Sequence, residues 1–99
     1  MQSSFKDIIN VNKPVLIDFY ADWCGPCQTM MPILTEVKES LGEHINIIKI
    51  NVDKNKELAS KFQVRGVPTF MVFKNGASVW RGSGVVSKND LIKLLKSYV

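Results

Sequence analysis
Apolar and polar positions alternate along the chain with two periods, and the blocks they form predict its elements. Val15-Leu16-Ile17-Asp18-Phe19-Tyr20 is almost unbroken apolar sequence with β-branched and aromatic members, the pattern of a strand covered on both faces. Residues 45–52 read as a second buried strand, and Thr69-Phe70-Met71-Val72-Phe73 as a third. Between the first two, the period becomes helical: Met30, Ile33, Leu34, Val37 and Leu41 recur on one side of a segment spanning about residues 24–41. Asp22 is the candidate N-cap of that helix, Pro32 is expected to kink it, and Gly42 to end it. Shorter helices fit residues 5–9 and 54–62. Asn75-Gly76 predicts a tight hairpin, with residues 77–81 returning antiparallel. Ser87 caps a last helix whose inward stripe is Leu91, Leu94, Leu95 and Tyr98.

The order is therefore α, β, α, β, α, β, β, α. Strands that alternate with helices imply a parallel portion with right-handed crossovers, and the closing hairpin adds an antiparallel edge. The expected fold class is α/β: a small mixed sheet with helices on both faces. With 99 residues, one domain covering 1–99 is expected.

Composition changes this picture little. Hydrophobic residues make up 45% and charged residues 22%, ordinary for a water-soluble domain. No apolar run approaches the roughly 20 residues of a membrane span, so no membrane association is expected. Residues 1–7 lack the basic start and apolar stretch of a secretory leader, which makes a cytoplasmic location the default expectation. The net charge is +4, but its lysines and arginines are dispersed and no nucleic-acid motif accompanies them. A solvated surface accounts for them, with mild steering toward acidic protein partners as the sharper alternative.

The chemistry concentrates in Cys24-Gly25-Pro26-Cys27, which holds both cysteines of the chain. On a helix, residues three apart have Cβ atoms roughly 5–6 Å from each other, close enough for a small adjustment to join two sulfurs. Gly25 lets the backbone adjust, and Pro26 suits a first helical turn that has no use for its missing N–H. A thiol at the helix start feels unpaired N–H groups and the positive end of the helix dipole, which favour the nucleophilic thiolate. Cys24 is thus the expected attacker of a substrate disulfide, and Cys27, deeper in the helix, the resolver of the mixed disulfide. Half a zinc site is the competing reading of such a pair, but a closed site needs four ligands and the chain adds only His44. A metal shared between two chains, and a purely structural staple, are further alternatives; the staple would close too short a loop to stabilise much.

Asp18 interrupts an apolar strand just ahead of the cysteines. If buried, it loses water, its pKa rises, and it can accept the proton of Cys27; otherwise it is a solvent-facing acid. Lys49 interrupts Ile47-Ile48-Lys49-Ile50 in the same way and either pairs with Asp18 or points outward.

Read in order, Asp18-Phe19-Tyr20-Ala21-Asp22-Trp23-Cys24-Gly25-Pro26-Cys27, Pro32, Asn51-Val52-Asp53, Arg65-Gly66-Val67-Pro68-Thr69, Phe73-Lys74-Asn75-Gly76 and Gly84 resemble the thioredoxin family over nearly the whole chain. The resemblance implies the thioredoxin fold and a general protein-disulfide reductase acting on disulfide-containing client proteins. It also implies regeneration by a thioredoxin reductase, and a monomer without cofactor or metal. Gly25-Pro26 is similar to the reducing members rather than to oxidases or isomerases. Asp18 falls at the family's buried aspartate, Lys49 at its neighbouring lysine, and Pro68 at its cis-proline. The Val67 backbone would then lie beside Cys24 and pair with an extended client segment. Trp23, Gly25, Pro26, Gly66, Val67, Pro68 and Gly84 are the implied client-binding rim. Trp23 could equally be core, and Gly84 a simple turn. Two departures stand out: Tyr20 replaces a frequent tryptophan, and the usual first edge strand looks shortened or absent. A non-catalytic binding module with the same fold is the alternative function. Trp80 and His44 receive no role.

Overall fold
The computed structural model describes residues 4–99. Helix α1 (Phe5–Ile9) leads into strand β1 (Val15–Tyr20), then helix α2 (Gly25–Leu41) and a 3-10 turn at Gly42–His44. Strand β2 (Asn46–Asn51), helix α3 (Lys56–Lys61), the hairpin of β3 (Thr69–Lys74) and β4 (Ala77–Ser83), and helix α4 (Lys88–Lys96) follow. The element order is the one the sequence predicts. The four strands lie in the order β2-β1-β3-β4, with β1 parallel to β2 and antiparallel to β3. Residues 1–3, where part of a first edge strand was in question, lie outside the described residues; among the described residues the order opens on a short helix and the sheet has no strand before β1.

Strand alternation sends neighbouring residues of β1 to opposite layers. Val15, Ile17 and Phe19 pack with Met71 and Phe73 beneath α1 and α3. Leu16 packs with Met30, Leu34, Val37, Phe70, Val72, Leu91 and Leu95 beneath α2 and α4. The Asn75-Gly76 turn has positive φ at both residues (52° and 82°), the geometry that matches strand twist in a two-residue hairpin. It is tied to the end of α1 by hydrogen bonds from the Asn75 and Gly76 N–H groups to the Val11 and Ile9 carbonyls, at 2.9 and 3.0 Å.

Three local expectations are corrected. The sequence predicts a buried strand over residues 45–52, yet β2 is half-buried over Asn46–Ile48 and exposed at Lys49, because among the described residues it is paired on one side only. The third helix starts at Lys56 rather than 54. The Asn51 side chain accepts from the Asp53 and Lys54 N–H groups, and this turn occupies residues that could otherwise have opened the helix. The N-cap of α2 is Cys24 and not Asp22. Helix α2 runs through Pro32 as one element and ends at Gly42, whose φ is 53°. Trp80 packs along β4, where its ring lies so close to Gly82 that a Cβ there would come within 2.5 Å of it.

Candidate active site
Strand β1 ends at Tyr20, and α2 begins at Gly25 after a connection of four residues. Cys24 has extended backbone (φ −92°, ψ 112°), and its sulfur accepts the Cys27 N–H at 3.1 Å. The side chain of the first cysteine therefore does what a serine or aspartate commonly does at a helix start. Cys24 and Cys27 are joined as a disulfide across Cα atoms 5.2 Å apart, within the normal span of such a bond. In this closed form both cysteines are nearly covered, Cys24 at 3% and Cys27 at 1% exposure. The expected contrast between an open and a shielded sulfur is thus small in this closed form. The clearer asymmetry is the N–H donated to the sulfur of Cys24.

Ala21, Cys24 and Cys27 form a small cluster against Tyr20, Val52 and Val67. The Val67–Pro68 peptide is cis. The loop that carries it is held by the Thr69 hydroxyl, which donates to the Gly66 carbonyl at 2.7 Å, and by the Gly84 N–H, which donates to the Pro68 carbonyl at 3.1 Å. Four separate segments meet through these contacts. Trp23 is 73% exposed, so it belongs to the rim and not to the core. It lines a notch of about 90 Å³ with Val52, Val64, Arg65, Gly66 and Val67. Gly25, Gly66 and Gly84 have open space where a side chain would stand, which leaves room for another chain to approach; Gly84 also has φ of 83°. Pro26 is exposed in the first turn of α2, and Pro68 is buried.

On β1, Asp18 is buried at 1% exposure, and among the described residues neither carboxylate oxygen has a hydrogen-bond partner. Burial raises its pKa from 3.8 to about 6, and the charge of Lys49 lowers it in part. Lys49 is the direct register partner of Asp18, but its side chain is exposed and its ammonium donates to the Met31 sulfur at 3.3 Å. Of the two readings left open for each residue, burial holds for Asp18 and exposure for Lys49.

Two contributors received no role from the sequence. Asp53 accepts the Trp23 indole N–H at 2.9 Å and so orients the exposed ring. Asp53 is thirty residues from Trp23 in the chain, and nothing local signals the contact. Val85 is 55% exposed beside Gly84. An apolar residue in a Gly- and Ser-rich segment is the signal that could have found it.

A cysteine pair at the first turn of a helix, beside a cis-proline loop and following a strand that buries a carboxylate, defines the dithiol–disulfide class of redox proteins. The comparisons narrow the class. Residues 1–97 match the family profile described as Thioredoxin, and the chain belongs to the thioredoxin family. It is 47% identical over 96 residues to Thioredoxin Y, chloroplastic, of Oryza sativa subsp. japonica, covering 96% of this chain and 57% of that protein. The chain thus spans little more than half the length of that chloroplastic relative. A thioredoxin of Pyropia yezoensis is 42% identical, with 98% of this chain and 92% of that one covered. Among solved structures, a mutant thioredoxin from Halobacterium salinarum NRC-1 superposes with a TM-score of 0.88 at 41% identity, covering 99% of this chain and 85% of the other.

Proposed function
We propose that this protein is a protein-disulfide reductase that works by dithiol–disulfide exchange. The observation that carries the reading is the placement of Cys24: it caps α2, so its sulfur lies against a backbone N–H and the positive end of the helix. In the reduced protein the Cys24 thiolate attacks one sulfur of a client disulfide. A Cys24–client bond forms, and the other client sulfur leaves as thiolate. Cys27 gives its proton to Asp18 and attacks the Cys24 sulfur. The mixed disulfide breaks, the second client sulfur leaves as thiolate, and Cys24–Cys27 closes. Two electrons have then passed to the client. Asp18 suits the proton-accepting role because its pKa of about 6 places it close to neutrality. Lys49 tunes that value through its charge.

The client is held by the rim. An extended client segment pairs with the Val67 backbone, which the cis bond to Pro68 turns toward the cysteines, while Trp23 and Val67 cover it with apolar surface. Gly25, Pro26, Gly66 and Gly84 keep the approach flat. Restoring the dithiol requires an external donor, and a thioredoxin reductase fills that part. The protein acts as a monomeric single domain in a reducing compartment, with the cytoplasm as the proposed site. Among the described residues no helix is long and apolar enough to cross a membrane.

The test is insulin-disulfide reduction driven by dithiothreitol. The unaltered protein should accelerate it and Cys24→Ser should not; full turnover by that variant would refute the assigned nucleophile. Cys27→Ser should accumulate mixed disulfides with client proteins that survive acid trapping.

A further inference from the structure
The arrangement around Asp18 holds an oddity. A buried carboxylate has a lysine as its register neighbour on the adjacent parallel strand, with the two side chains on the same face. A lysine so placed has the reach to contact the carboxylate. Instead, among the described residues, both carboxylate oxygens lack a hydrogen-bond partner, while the ammonium donates to a neutral thioether, Met31 Sδ, at 3.3 Å. Met31 is half-buried on α2, one turn beyond Cys27, at the place where the helix crosses toward β2.

We propose that Met31 is a positioning residue: it holds the Lys49 ammonium on its sulfur and so keeps the ammonium out of contact with the buried Asp18 carboxylate. The inference deepens the reading of the site given above and rests on it for its catalytic consequence.

The surroundings leave Lys49 as the relevant charge. On the sheet face that Asp18 shares with Leu16, the strands pack against apolar Met30 and Leu34 of α2 and Leu91 and Leu95 of α4. The register partner of Asp18 on β3 is Phe70, and the Cys24–Cys27 disulfide does not titrate in this form. Lys38 and Glu39 line a groove of about 300 Å³ beside Lys49. The Lys38 ammonium is occupied by the Gly42 and Ile45 carbonyls at 2.8 and 2.7 Å, and Glu39 is exposed to water. A contacting ammonium would keep the carboxylate charged and weaken it as a base. Held on sulfur, Lys49 acts only from a distance, which agrees with its secondary effect on Asp18.

The measurement is the titration of the Asp18 carboxyl carbon by NMR in the oxidised protein, where the cysteines are silent. Met31→Leu keeps an apolar side chain of similar size and removes the acceptor. The Asp18 midpoint should fall by ~1 pH unit as the ammonium moves to the carboxylate. Met31→Gln offers an amide oxygen in place of sulfur and should return the midpoint to its original value. Lys49→Gln should raise the midpoint, and adding Met31→Leu to that variant should change it no further. The proposal is overturned if Met31→Leu leaves the midpoint in place, or if it lowers the midpoint equally without Lys49. Because the readout is a titration and not turnover, it separates two failures. A midpoint that moves while the pH profile of mixed-disulfide resolution stays put would sink the proton-acceptor reading of Asp18 and leave the Met31 assignment standing.

Discussion
The two faces of the sheet are built from different materials and serve different ends. Beneath α1 and α3 lies an aromatic cluster, in which Phe62 sits 5.3, 6.2 and 5.6 Å, centroid to centroid, from Phe5, Phe19 and Phe73. Beneath α2 and α4 the packing is mainly aliphatic, with Leu16, Met30, Leu34, Val37, Leu91 and Leu95 set around the single buried ring of Phe70. Alternation along β1 places Asp18 on this second side, two residues beyond Leu16. Both faces exclude water. On the aromatic side that exclusion only stabilises, whereas on the aliphatic side it lifts a carboxylate to about 6. The comparison teaches that one physical effect, desolvation, becomes either cohesion or proton chemistry according to which side chain a strand presents to it.

Four substitutions test this division. Cys24→Ser has the largest expected effect: insulin reduction falls to background while thermal unfolding stays cooperative. Phe19→Ala on the aromatic face should cost about 3–5 kcal/mol in urea unfolding. It should leave the Asp18 midpoint unchanged, and a clear displacement of that midpoint would break the separation of the faces. Asp18→Asn acts in the opposite direction. The folded pKa is raised from 3.8 to about 6, so between these values the native state holds a proton that the unfolded chain has lost. Stability from this group is full below pH 3.8 and is lost as pH rises through about 6. The variant should therefore be more stable than the parent at pH 8, by on the order of 3 kcal/mol, and show little of that advantage at pH 4. Equal gains at both values would mean the charge is not the cause. The smallest effect belongs to Asp53→Asn at the rim. It weakens a single exposed hydrogen bond to Trp23, worth about 1 kcal/mol or less, and should raise KM for protein disulfides a few fold with kcat little changed.

Much of this arrangement is legible in the chain, for identifiable reasons. Asp18 stands out because one acid among five apolar residues has nowhere polar to go, and Asn75-Gly76 because few other dipeptides accept two positive φ values. The cysteine spacing implies a helix start, and the structure supplies one. The sequence does not disclose which strand lies at the border of the sheet. Ile47-Ile48-Lys49-Ile50 reads as buried, yet among the described residues β2 has a neighbour on one side only, and this leaves Lys49 at the surface. Capping is equally hard to foresee. Asp22 is the better N-cap by residue type, but the Cys24 N–H closes a turn onto the Ala21 carbonyl at 3.2 Å, which places the helix start two residues later. Contacts such as Trp23 to Asp53 and Lys49 to Met31 join elements far apart in the chain, and no periodicity encodes them.

The cap formed by Cys24 bears on how an inactive form of this protein should be made. The atom that would exchange electrons also anchors the first turn of the longest helix, so removing it alters two properties at once. Alanine at position 24 would abolish exchange and also withdraw an acceptor from the Cys27 N–H, at a cost of about 1 kcal/mol. Serine supplies an oxygen to the same donor and leaves the scaffold intact. A trapping reagent or a crystallographic complex built on serine would therefore report recognition of the client, whereas one built on alanine would mix recognition with a frayed helix.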